Sequence, residues 1–220
     1  MTRDEGVAII QQQLGFRSDL STVIVTNMKL AQTQLEAGPT KPWFLIKERL
    51  TKRTTTDEQR VAVPEDMLYL VPQAAIQYVP DDDQDGAILT LVKGDMDNLL
   101  TQYVDPALAT GELLTGTPEA YAQQGSYFWI FPVPDDQYLL RIGIFEPDDL
   151  LTSNVENGWL KWSPYTLLGK AGGLVASALR DKEAKAIFTA MEQEGRVALY
   201  NLDVAREEAD RDHQVGGPHF

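Results

Sequence analysis

Apolar residues recur at helical spacing towards both ends of this chain and at strand spacing between them. Val7, Ile10 and Leu14 share one face behind Thr2-x-x-Glu5, a capping box in which each residue satisfies the other's free backbone N–H, and Gly15 stops the run. This predicts a helix from Thr2 to about Leu14. Leu20, Ile24, Met28, Ala31 and Leu35 form a second stripe at i, i+4, i+8, i+11 and i+15. It opens at the N-cap candidate Ser18 and ends at Gly38-Pro39. Both stripes are what a core-facing helix shows.

From Trp43 the period shortens. Trp43 to Ile46, the polar Thr51 to Thr56 stretch and Arg60 to Val63 predict two strands joined across a turn at Asp57-Glu58. Ile88 to Val92 predicts a short strand, followed by Gly94-Asp95 and a helical turn to about Tyr103, then a turn-rich link from Gly111 to Thr117. Tyr121, Tyr127 to Phe131 and Tyr138 to Phe145 are aromatic and apolar runs separated by Gly125 and by Pro132 to Asp136, the pattern of antiparallel hairpins.

Helices return at Ser163-Pro164, an N-cap candidate with proline at the first helical position. Leu168, Ala171, Leu174 or Val175, and Ala178 mark its buried face to about Arg180, while Gly169, Ala171, Gly172, Gly173 and Ala176 are small enough to admit another helix closely. Asp181 can cap a last helix with the stripe Ala184, Ile187, Phe188, Met191, Ala198, Leu199 and Leu202, interrupted at Gly195. After Leu202 apolar content collapses: Arg206 to Asp212 is charge-dense and His213 to Phe220 contains Gly216-Gly217-Pro218, predicting a tail without a core of its own. The fold class this order predicts is α+β. A four-helix bundle-like core comes from helices in 1–40 and 155–205 of a single domain 1–205, with an inserted antiparallel β meander over 41–150 and an extended C-terminal tail over 206–220.

Composition removes several chemistries. The chain has 220 residues, no cysteine and two histidines, His213 and His219, both in the predicted tail. A thiol nucleophile, an iron–sulfur cluster, a thiolate zinc site and a Ser–His–Asp triad in the body are therefore excluded. No apolar stretch approaches the roughly 18–20 residues of a membrane span, and the start, charged in both signs, is unlike a signal peptide; a soluble chain is expected. The net charge of −14 opposes non-specific attraction to DNA or anionic lipid. It is unevenly spread: residues 1–53 hold eight Lys+Arg and five Asp+Glu, the remainder eleven and 28.

Few residues suggest reactive chemistry. Asp81 to Asp85 with Gly86 matches the first half of a calcium loop, but Val92 stands where the bidentate glutamate belongs, so the cluster reads as an acidic turn. A metal-dependent hydrolase using Asp81 to Asp85 is the enzymatic alternative. The pairs Asp135-Asp136 and Asp148-Asp149 read as solvated turns. Tyr127, Phe128, Trp129 and Phe131 have no Lys or Arg interleaved in sequence, as a base-stacking platform would require. They read as sheet core or interface, and Trp43, Tyr127, Trp129 and Phe131 are the candidates for a subunit or tail contact. Arg206, Arg211, His213, Val215, His219 and Phe220 are candidates for ordering on a partner, by adding a strand or filling a pocket.

The ordered run Gly15-Phe16-Arg17-Ser18-Asp19-Leu20, Ala31 to Glu36, Gly38-Pro39-Thr40-Lys41-Pro42-Trp43-Phe44-Leu45, Val61-Ala62-Val63-Pro64-Glu65-Asp66-Met67-Leu68, Gly125 to Pro134, Asn157-Gly158-Trp159-Leu160, Ser163-Pro164 and Ala178 to Asp181 resembles the head-to-tail adaptor (connector) proteins of tailed bacteriophages over about residues 15–212. The resemblance implies a structural protein of the virion neck, made in the host cytoplasm and assembled as a ring, usually a dodecamer. Such a ring docks beneath the portal protein of the filled capsid, meets tail or nozzle proteins and continues the channel for passing DNA without reading its sequence. It further implies no enzyme activity, cofactor, metal or membrane, and a closing segment, here Arg206 to Phe220, that reaches the portal. A tail-tube terminator or nozzle component is the alternative within the virion.

Overall fold

A computed structural model describes residues 1–39, 41–46, 50–72, 75–79, 88–104, 106, 111–149, 151–153 and 155–215, with 207 and 209–215 as backbone alone. The chain divides into two compact units. Met1–Leu45 and Pro147–Phe220 form a helical unit, and Ile46–Glu146, close to the predicted insert, forms a β-rich one. The fold is α+β.

In the helical unit α1 (Arg3–Gln13) starts as predicted: the Thr2 hydroxyl accepts from Glu5 N at 3.3 Å and the Glu5 carboxylate from Thr2 N at 2.8 Å. Ser18 opens one 3₁₀ turn and α2 follows over Ser21–Glu36, burying the predicted stripe Ile24, Met28, Ala31 and Leu35. The short α4 (Gly158–Trp162) is capped by Asn157, whose side chain accepts from Leu160 N. Next, α5 (Pro164–Leu179) ends at Arg180 in the left-handed region, and α6 spans Lys182–Val215, its start capped by Asp181. The principal packings run through α5, which α1, α2, α4 and α6 all contact.

Glycines bring α5 and α6 together. A Cβ on Gly169 would stand 2.3 Å from Glu192 N, one on Gly172 2.3 Å from the Phe188 ring and one on Gly195 2.4 Å from Thr166 N. Gly195, expected to interrupt the last helix, is a crossing point within it. Ile187, Ala198 and Leu202, expected on the buried stripe, are exposed, because α5 covers only the arc of Ala184, Phe188 and Leu199. The end also differs from expectation: 206–215 are not an extended tail but the closing turns of α6. Once a helix is nucleated each added residue costs little, and the first strong breaker after Gly195 is Gly216.

The β-rich unit contains β1 (Leu50–Arg53), β2 (Arg60–Ala62), β3 (Tyr69–Leu70), β4 (Ile76–Val79), β5 (Leu89–Thr90), β6 (Val92–Lys93), β7 (Thr115–Gly116), β8 (Ala120–Gln124), β9 (Tyr127–Phe131), β10 (Val133–Pro134), β11 (Leu139–Ile142) and β12 (Ile144–Phe145), with α3 (Met96–Gln102) between β6 and β7. Two four-stranded sheets, ordered β1-β11-β4-β5 and β2-β9-β8-β6, share a core of Ile76, Tyr78, Tyr121, Phe128, Ile130, Leu140 and Ile142. Most pairings are antiparallel, but the order is not that of a meander. Only β8–β9 is the expected hairpin, turning through Gly125 at φ +60.

The two strands expected on either side of Asp57-Glu58 form, and the turn between them is closed by an antiparallel bridge from Thr55 to Glu58, but they take different partners: β1 pairs with β11 and β2 with β9. Thr54, fully buried after β1, explains the separation: its hydroxyl donates to Asp136 O at 3.0 Å and accepts from Tyr138 N at 2.8 Å, tying β1 to the approach of β11. The single strand expected over Ile88 to Val92 is split at buried Leu91 into β5 and β6, which join different sheets. Among the described residues no helix is long and apolar enough to cross a membrane.

Three phenols of this unit are held above the ordinary tyrosine value: Tyr121 by burial, Tyr103 by burial and its hydrogen bond to Glu119, and Tyr138 by its hydrogen bond to Asp135. A group whose folded value is raised contributes stability that is complete below its unfolded value, about 10 here, and is lost as pH climbs through the folded value. Absorbance titration should therefore show at least three of the eight tyrosines ionising late, together with loss of the circular dichroism of the β unit. All eight titrating near pH ~10 in a native spectrum would contradict this packing.

Candidate functional site

The helical unit contains a buried polar junction that no motif announced. Gln32 and Glu36, one turn apart on the buried side of α2, meet the chain where it returns from the β unit. Glu36 Oε1 accepts from Gln32 Nε2 at 2.9 Å, Asp148 N at 3.1 Å and Trp159 Nε1 at 3.1 Å. Asp148 Oδ2 accepts from Trp159 N at 2.9 Å, and the Asn157 amide donates to Gln32 Oε1 and Asp149 O. Asp148, expected as a solvated turn, is thus half-buried and structural. The available signal was the pair of polar residues on an otherwise apolar arc. With Glu36 Oε1 and Asp148 Oδ2 accepting from backbone, amide and indole donors, the junction fastens the returning chain.

Beside it lies an aromatic cluster. The Trp43 ring meets Phe44 and Trp162 edge-on at centroid distances of 5.8 and 4.9 Å, and Phe44 meets Trp159 at 5.1 Å. Lys161 Nζ stands 4.9 Å from the Trp162 ring, and the Arg206 guanidinium lies 3.8 Å from the Trp43 centroid. Trp43, expected at an interface, is half-buried and packs within its own unit, and Arg206 is the residue of α6 that holds to it. Such a cation–π contact is worth about 0.5–1 kcal/mol at an exposed site. Arg211, His213 and Val215 follow on the same helix, while His219 and Phe220 lie outside the described residues, as does the Asp81 to Asp85 cluster.

In the β unit the aromatic run of β9 divides by pleat. Phe128 and Ile130 face the shared core, and Phe131 is fully buried against Leu99, Tyr103, Ala120 and Ala122. Phe131 is therefore not available to a partner, contrary to expectation. Tyr127 is 43% exposed and Trp129 half-buried, and across the strand pair Arg60 lies over both, 5.4 and 5.7 Å from the ring centroids. The cation that is missing from the local sequence comes from β2, in register: Arg60 pairs with Trp129 and Ala62 with Tyr127. Sequence reasoning missed Arg60; its alternation with buried Val61 was the signal.

The described residues thus offer two surfaces, an Arg–Tyr–Trp strip on the β unit and a long helix end held by Arg206, and neither contains a reactive constellation. No individual curated protein matches the chain. The model of one family, described as SU10 adaptor protein, matches residues 5–216, from the first turn of α1 to just beyond the end of α6. That match spans both units and both surfaces, and it agrees with the ordered motifs that resemble phage connectors: the chain belongs to the SU10 adaptor protein family, a family of phage head–tail adaptors.

Proposed function

We propose that this chain is the ring subunit that docks beneath the portal of a filled capsid, joins it to the tail and continues the DNA channel, most simply as a dodecamer. The observation that carries the reading is the family match over 5–216. The end of α6 is the portal-facing element: the 34-residue helix is about 50 Å long and includes Arg211, His213 and Val215 beyond its Arg206 clasp, with His219 and Phe220 following in sequence. The strip of Arg60, Tyr127 and Trp129 is the contact to a neighbouring subunit or a tail protein, since Trp, Tyr and Arg are the residue types that dominate interface energetics. A charge of −14 suits a conduit that must let phosphate pass without holding it. The role is structural, at the virion neck.

Deleting His213 to Phe220 should leave the melting temperature within about 1–2 °C of full length, because no described core residue lies beyond Leu199. The same truncation should abolish co-sedimentation with DNA-filled, tailless heads. Truncated protein that joins heads as well as full length would remove the portal role from this segment.

A further inference from the structure

The helical unit has two outward faces on which apolar side chains are left exposed. On α2 the arc turned away from its buried stripe carries Val23, Thr26, Leu30 and Thr33, at i, i+3, i+7 and i+10, with Val23 43% and Leu30 46% exposed. Lys29 is the one charge exposed along this helix, since Glu36 is buried. In a chain with 24% charged residues, a solvated face sixteen residues long would ordinarily carry several. On α6 the exposed arc beside Phe188 and Leu199 carries Ile187, Ala190, Glu194, Val197, Ala198 and Asn201; Ile187 and Val197 are about half exposed, and the alanines leave a shallow hollow between them. A helix that is apolar on two arcs has two partners. One partner of α6 is α5.

The two faces differ in a way that selects what covers them. The α2 face has projecting Val23 and Leu30 beside a cation; the α6 face has a hollow beside carboxylates, Glu194 and, a few turns earlier, Glu183. Placing α2 on α2 would oppose Lys29 with Lys29, and α6 on α6 would oppose Glu194 with itself, whereas α2 on α6 brings opposite charges together and projections to a hollow. Because α2 and α6 both pack on α5, each with its buried arc, these faces are the outer sides of the flanking helices.

We infer that the outer face of α2 in one copy packs on the outer face of α6 in the next, so that the lateral contact is heterologous and repeats around a closed ring. This rests on the adaptor reading proposed above and deepens it by naming the surfaces.

The absence of cysteine makes the test clean. Virions assembled from an equal mixture of full-length Leu30→Cys and Val197→Cys chains, treated with a short bis-maleimide, should yield a dimer containing one chain of each kind. Virions from the double variant should yield a ladder of higher multiples. Adding Lys29→Glu should lower cross-link yield about two- to fivefold, and combining it with Glu194→Lys should restore it. Dimers from Val197→Cys or Leu30→Cys alone at equal yield would show face-to-face pairing and overturn the inference. So would particles that incorporate both variants and give no cross-link, an outcome that leaves the adaptor reading standing. Failure of the unmodified chain to enter particles at all would instead remove the adaptor reading and this pairing with it.

Discussion

Replacing Gly169 or Gly195 by alanine is expected to destabilise the helical unit by about 3 kcal/mol or more, the upper part of the range for overpacked cores. At roughly 2–4 °C per kcal/mol for a chain of this size, that is a fall in melting temperature of about 6–12 °C. The atoms that a new Cβ would strike are backbone, Glu192 N at 2.3 Å from Gly169 and Thr166 N at 2.4 Å from Gly195, so relief requires α5 and α6 to separate. Gly173 is the internal control. It lies on the same helix, but its added Cβ would meet only the Phe188 Cβ, at 4.0 Å. Removing a helical glycine there gains about 1 kcal/mol of propensity, and Gly173→Ala should raise the melting temperature. Similar losses at all three positions would mean that the glycines matter for flexibility and not for the approach of the two helices.

Glu36→Ala is expected to cost about 3–5 kcal/mol, with Glu36→Gln within about 1–2 kcal/mol of the native chain. Alanine leaves Asp148 N and Trp159 Nε1 as donors without an acceptor, while Gln32 keeps the carbonyls of Asp148 and Asp149. Glutamine preserves a carbonyl oxygen at the same place. The site of the loss is as specific as its size: hydrogen exchange should accelerate over 147–162, where the chain returns from the β unit, more than in β9 or β11. Denaturant titration and exchange together check this. An alanine variant as stable as the glutamine one would show that the junction does not hold the returning chain.

These two results bear on what could be read from residues alone. Local signals were legible: the Thr2–Glu5 box, the α2 stripe, Pro164 as first residue of α5 and the Asp181 cap all depend on neighbours within one or two turns. Long-range choices were not. Period-2 alternation marks Val61 as inward but cannot say that β2 pairs with β9, or that Thr54 ties β1 to the approach of β11. The same limit hid Arg60, whose rings lie 67 and 69 residues away in the chain, and the Gln32–Glu36 junction, whose partners lie more than a hundred away. The end of α6 failed differently. Apolar content measures burial, not helicity, and a charged run free of glycine and proline continued a helix that was already formed. The pleat puts Phe131 on the same face as Tyr127 and Trp129, but alternation could not show that Leu99 and Tyr103 cover that end of the strand.

The family, in turn, is carried by order and extent more than by any one residue, and its functional meaning is best tested in the particle. Disrupting this gene in the phage that carries it and imaging the progeny by electron microscopy addresses the central claim directly. The account predicts DNA-filled or leaking heads without tails, converted to infectious particles by added purified protein. Intact, tailed and infectious progeny would contradict it.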